Sequence, residues 1–137
     1  MFFNKKIICQ KCKKKLSKKE FSSFSNENIC ISCYQKEKEK REKRESDANW
    51  QYIENNCRTL FTLHCDAYVS TTSVGFDISK KKPCIIRSHA FGPRDSWMYW
   101  SYYYIEFDEL QDLAKKVSEE VYEKYKNMNE KNWKECI

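Results

Sequence analysis

The chain predicts an α+β fold: a small cysteine-paired module, a charged helix, then a four-stranded antiparallel sheet packed by a C-terminal helix. Two Cys-x2-Cys pairs lie within the first 33 residues, and a run of charge without Gly or Pro follows them. Beyond it the apolar period changes from alternation to steps of three and four, strands first and a helix last. A length of 137 residues leaves room for one ordinary domain or two small ones. The expected division is residues 1–35, 36–56 and 57–137.

Cys9 and Cys12 form the first pair, Cys30 and Cys33 the second. A two-residue gap lets both sulfurs of a pair face one ion, and zinc prefers soft thiolates in a tetrahedral cage. Four cysteines leave no open position for water, so the expected cofactor is one structural Zn2+. The module's apolar residues, among them Ile7, Ile8, Leu16, Phe21, Phe24 and Ile29, are too few for an independent core. Metal binding would supply the missing folding energy, on the order of 10 kcal/mol. A dithiol redox pair would instead accompany a βαβ pattern, which this sequence lacks. Between the pairs, Ser22-Ser23 and Ser25-Asn26 supply turn residues, and a short hairpin is expected there.

From Tyr34 to Glu45 the sequence reads YQKEKEKREKRE, with no apolar residue after Tyr34. Glu37 with Arg41 and Glu39 with Lys43 stand four apart in the favourable order. A helix solvated on all sides is expected, running on through Trp50, Ile53 and Cys57 to dock its far end on the second domain.

The stretch ICQKCKKKLSKKEFSSFSNENICISCYQKEKEK resembles the treble-clef zinc module of small phage and bacterial endonuclease VII-like and HNH-associated proteins. There a first knuckle leads into a hairpin with a Leu-Ser-x-x-x-Phe segment, matched here by Leu16-Ser17-Lys18-Lys19-Glu20-Phe21. The second pair opens a charged helix, matched by Cys30 and Cys33 running into Tyr34. The resemblance covers about residues 7–45 and implies the zinc fold. Nucleases of that family need a His general base with metal-binding His or Asp. Only His64 and His89 occur here, and neither LHCDAY nor RSHAFG reproduces that arrangement. The resemblance therefore implies a non-enzymatic, adaptor-like module.

Phe61, Leu63, Cys65, Ala67 and Val69 alternate with polar residues, predicting a strand with one buried face and a buried Cys65. Thr71-Thr72-Ser73 is expected to turn the chain into a second strand carrying Val74, Phe76 and Ile78. After Ser79 to Pro83, Cys84 to Phe91 makes a third strand, and after the Gly92 to Ser96 loop, Trp97 to Phe107 a fourth. Asp108 as N-cap with Gln111 three residues on predicts a capping box. Leu110, Leu113, Ala114, Val117, Val121, Tyr125 and Met128 then predict one continuous helix.

Charge is uneven. Residues 1–48 carry 14 Lys/Arg against 7 Asp/Glu, whereas residues 49–137 carry 12 against 13. An anionic partner should meet the N-terminal end. The expected function is binding of DNA or RNA through Lys5, Lys6, Lys11, Lys13, Lys14 and Lys15, with Arg87 as a further phosphate contact. Trp97, Trp100, Tyr102 and Tyr104 lie on both faces of the fourth strand. Rings outside the core must be covered by the segment with Trp133, buried in a homodimer, or exposed to stack on bases or to bind a protein. The alternative function is therefore a small, phage-encoded interaction module or inhibitor of a host enzyme. His64 and Asp66 share a strand face that His89 could join, as a second metal site, as a base with its orienter, or as a solvated or hydrogen-bonded polar surface. Cys57, Cys84 and Cys136 are too far apart in sequence to read as a set. No apolar run approaches the roughly 18 residues of a membrane helix, and no export signal is legible at the N-terminus. A reducing, cytoplasmic setting is expected.

Overall fold

Residues 6–23, 27–66 and 69–136 are described in a computed structural model. The chain divides into two compact units, Met1–Lys43 and Arg44–Ile137, with the boundary inside the charged helix.

In the first unit, Lys6–Ile8 (β1) and Lys15–Ser17 (β2) pair antiparallel. This hairpin brackets the first cysteine pair, and the reversal expected between the pairs is present as a single antiparallel bridge, with Ser22 N–H donating to Ile29 C=O at 2.9 Å. The knuckle is itself the turn: Lys13 N–H donates to Cys9 C=O (2.9 Å), and Lys13 takes a left-handed φ of 64°. Lys18–Glu20 form a 3-10 turn, and Phe21 bridges antiparallel to Cys30. The helix Ile31–Asn56 (α1) begins directly after Cys30. Among the described residues, Ile29 is the one buried aliphatic side chain of this core, with Leu16, Phe21 and Tyr34 packed around it and the cysteines. Ion pairs support the exposed helix: Lys43–Glu39 at 3.4 Å, Lys38–Glu42 at 3.9 Å, and Glu37 to Lys11 at 3.0 Å.

The second unit is a sheet in the order β3-β4-β5-β6, formed by Cys57–Asp66, Ser70–Asp77, Lys82–Phe91 and Trp97–Tyr104. All neighbours are antiparallel, as a meander requires. The turn after β3 is not at Thr71-Thr72-Ser73, which pair inside β4. The chain turns earlier, where Val69 N–H reaches Asp66 C=O (3.0 Å), and Val69 is left 49% exposed. Ala67 lies outside the described residues. Irregularities between Thr59 and Phe61 and between Thr62 and His64 each insert a residue into β3. The second moves the alternation by one position, so Cys65 leaves the apolar face and is exposed.

Phe107–Val117 (α2) and Glu119–Tyr125 (α3) cover one sheet face. The expected single helix breaks at Ser118, whose backbone is extended (φ −168°, ψ 161°) and whose Oγ accepts from Val121 N–H at 3.1 Å. A serine offered to an unsatisfied helical amide caps a new helix as readily as it continues the old one. The helix also starts earlier than expected. Glu106, not Asp108, is the N-cap, and Asp108 falls in the first turn. Phe61, Val74, Phe76 and Ile85 pack against Leu110, Ala114, Tyr125 and Met128. Each fully buried apolar side chain here contributes about 1.5–3 kcal/mol. Trp133 lies flat on Phe76, with centroids 5.4 Å apart and planes 3° apart.

The end of α1 covers the other face. Ile53 packs with Cys84 and Ile86, flanked by Cys57, Trp100, Tyr102 and Tyr104. Gly75 permits this closeness, since a Cβ there would stand 2.5 Å from Ile86 Cδ1 and 3.0 Å from the Arg58 carbonyl.

Candidate metal centre and surrounding surfaces

Cys9 leaves β1 into the knuckle, Cys12 lies in the turn, and Cys30 and Cys33 stand at the entrance to α1. Their four sulfurs all lie within 4.8 Å of one another, and Cys12 and Cys30 are 3.9 Å apart. A tetrahedral ion with Zn–S bonds of about 2.3 Å would set its sulfurs about 3.8 Å apart. The donor set therefore fits a metal ion that takes four thiolates.

Backbone geometry prepares the sulfurs. Cys30 N–H donates to Cys9 Sγ (3.3 Å) and Cys33 N–H to Cys30 Sγ (3.5 Å). The Cys30 amide, helped by those of Cys12 and Lys11, outweighs burial and holds the Cys9 thiol down at about 6. Cys33 is pushed up to about 12, chiefly by its hydrogen bond to the Cys30 sulfur and then by burial. Four thiolates in this space repel one another, and a divalent cation is what lets all four shed their protons. Cys9 and Cys30 are buried, Cys33 half-buried and Cys12 exposed. Cys12, Cys30 and Cys33 line a cavity of about 380 Å³ with Lys14 and Lys36.

Lys6, Lys11, Lys13, Lys14 and Lys15 are all exposed on this unit, with Lys11 paired to Glu37. Lys5 lies outside the described residues. Arg87 is exposed on β5, in the second unit.

The aromatic strand divides by parity. Trp100, Tyr102 and Tyr104 face α1, and the chain's own helix occupies that surface. Trp50 meets Trp100 at 4.4 Å, and Tyr52 stacks on Tyr102 at 5.1 Å with planes 11° apart. The cover is thus α1 and not the segment with Trp133. Trp97 belongs to the opposite face, together with Tyr99 and Tyr103. His64 and Asp66 do share a face with His89. The register sets His64 across from Thr72 and Arg87, and Asp66 across from Ser70 and His89. A β4 residue therefore stands between each β3 group and β5. Among the described residues only the four cysteines gather ligand atoms closely enough for a metal.

Two features escaped the sequence. Cys57 and Cys84 meet across the sheet and share a thiol hydrogen bond, which lowers the Cys57 pKa and, with burial, raises that of Cys84. Asp77 is fully buried beneath Tyr52 and Tyr104. No local spacing marks either.

Family models, curated proteins and solved structures offer no match to this chain. Among the described residues, no helix is long and apolar enough to cross a membrane.

Proposed function

We propose that this is a non-enzymatic accessory protein whose N-terminal unit is a treble-clef module closed by one structural Zn2+ and binds nucleic acid through its lysines. The observation that carries the reading is the exposed lysine set on a four-cysteine cage. Residues 1–43 hold 13 Lys/Arg against 5 Asp/Glu, while among the described residues the core beneath them has a single buried aliphatic side chain. Such a unit holds its shape by metal, and its surplus charge meets phosphate oxygens. The four thiolates leave the ion no open position, so it would supply folding energy and no reaction chemistry. A protein-binding face built on Trp100, Tyr102 and Tyr104 is less favoured, because α1 already packs on those rings.

Binding of the zinc-loaded protein to DNA and RNA in a salt series tests this. Each phosphate contact contributes about −0.9 to the slope of log K against log salt on duplex DNA. Lys6→Gln/Lys14→Gln/Lys15→Gln should make that slope shallower by about 2 to 3. Lys13, which takes a left-handed φ directly after Cys12, is left intact. Absence of binding at low salt, or a slope the triple variant does not change, overturns the reading.

A further inference from the structure

We propose that the sheet face opposite α1, where β5 and β6 run beyond α2, is a stacking platform for single-stranded nucleic acid. The inference rests on the nucleic-acid reading above and assigns the second unit its own part in it.

Cross-strand register builds the platform. Ile85 pairs with Tyr103, Arg87 with Ser101, His89 with Tyr99 and Phe91 with Trp97. All eight residues point to one face, since side chains two apart on a strand share a side. Ile85 belongs to the core under α2 and α3, and among the described residues the rings beyond it stand outside the buried clusters. Tyr103 is 53% exposed, Arg87 is exposed, and His89, Phe91, Tyr99 and Trp97 are half-buried. The four outer rings brace one another. His89 lies 5.4 Å from Tyr99, Phe91 5.0 Å from Trp97, and Phe91 5.5 Å from Tyr99.

What selects the occupant is the order along the strands: ring at Tyr103, cation at Arg87, rings at His89 and Tyr99, rings at Phe91 and Trp97. Successive positions on one face stand about 6.8 Å apart, comparable with the repeat of an extended, unstacked single strand. Bases can lie on the rings while a phosphate meets the guanidinium between them. A duplex keeps its base faces stacked inside and cannot offer them to the rings.

The test uses the full-length, zinc-loaded protein with a labelled oligothymidine and a hairpin duplex. Tyr99→Ala should weaken oligothymidine binding about 5- to 150-fold and leave duplex binding unchanged. Tyr99→Phe should retain the wild-type affinity, which separates stacking from damage to the fold. Arg87→Gln should reduce the single-strand salt slope by about 0.7. Equal losses on both nucleic acids, no loss on either, or a Tyr99→Phe variant as weak as Tyr99→Ala would overturn the platform. Duplex binding alone would do so too while leaving the lysine reading intact, whereas no binding to either nucleic acid removes both. A protein partner released by Tyr99→Ala, with both nucleic-acid affinities unchanged, would give the face to that partner instead.

Discussion

Asp77 shows how one side chain can hold an element junction together. Burial alone would raise its pKa. The Tyr52 and Tyr104 hydroxyls at 2.6 and 2.7 Å, with the amides of Lys80 and Ser79, outweigh that and lower it. A carboxylate held below its unfolded pKa of about 3.9 contributes stability in full at neutral pH and loses it as pH falls through the folded value. The urea midpoint of the second unit, followed by Trp fluorescence, should therefore drop in acid, and Asp77→Asn should make that drop shallower. Asp77→Ala should cost about 3 kcal/mol at neutral pH, since it strands two tyrosine hydroxyls. An unchanged midpoint in both variants would dismiss the junction. The contrast with the four clustered cysteines explains what a sequence discloses at this scale. Cys9, Cys12, Cys30 and Cys33 advertise their chemistry by local spacing. Asp77 with Tyr104, and Cys57 with Cys84, are brought together by strand register, and Tyr52 by the packing of α1 on the sheet.

At the scale of elements, α1 does more than cover a face. β6 is an edge strand, and its free backbone is met by side chains of the helix. Ser46 Oγ accepts from Trp100 N–H (2.9 Å) and donates to Met98 C=O (3.2 Å), while Asn49 Nδ2 donates to Trp100 C=O (2.9 Å). Ser46 is only 2% exposed, so its hydroxyl has little access to water. An unprotected edge of this aromatic content is a template for pairing with another chain. Ser46→Ala/Asn49→Ala should lower the melting temperature and bring concentration-dependent association in sedimentation; a monomer of unchanged stability would refute the role. The helix was legible from its charge run and from Trp50 and Ile53. Its use of Ser46 was not, because a polar residue in a polar run carries no periodic signal. The misplaced turn after β3 has a similar origin: Thr71 and Thr72 have turn-compatible chemistry but also good strand propensity. The break at Ser118 was hidden because the apolar steps of three and four continue across it.

For the whole molecule, the two units have different sources of stability. The second buries a continuous apolar core, from Val74 and Phe76 to Leu110 and Tyr125. The first buries Ile29 among its cysteines. Chelation, or Cys9→Ser with Cys30→Ser, should therefore abolish hydrogen-exchange protection in residues 6–30 while β3–β6 keep theirs. Metal analysis should find one Zn2+ per chain before chelation and none after. Simultaneous loss of protection in both units would show instead that they fold as one.

The middle of α1 has a consequence for handling the protein. The helix buries only Ser46 and Ile53 of its 26 residues, so the stretch from Lys36 to Arg44 contributes no buried side chain. That stretch carries Lys36, Lys38, Lys40, Arg41, Lys43 and Arg44, each a cleavage site for a trypsin-like protease. Local unwinding there sacrifices helical hydrogen bonds and a few surface ion pairs but no core. Brief digestion of the metal-loaded protein should open the chain at this point first and release two resistant fragments, each ready for study on its own.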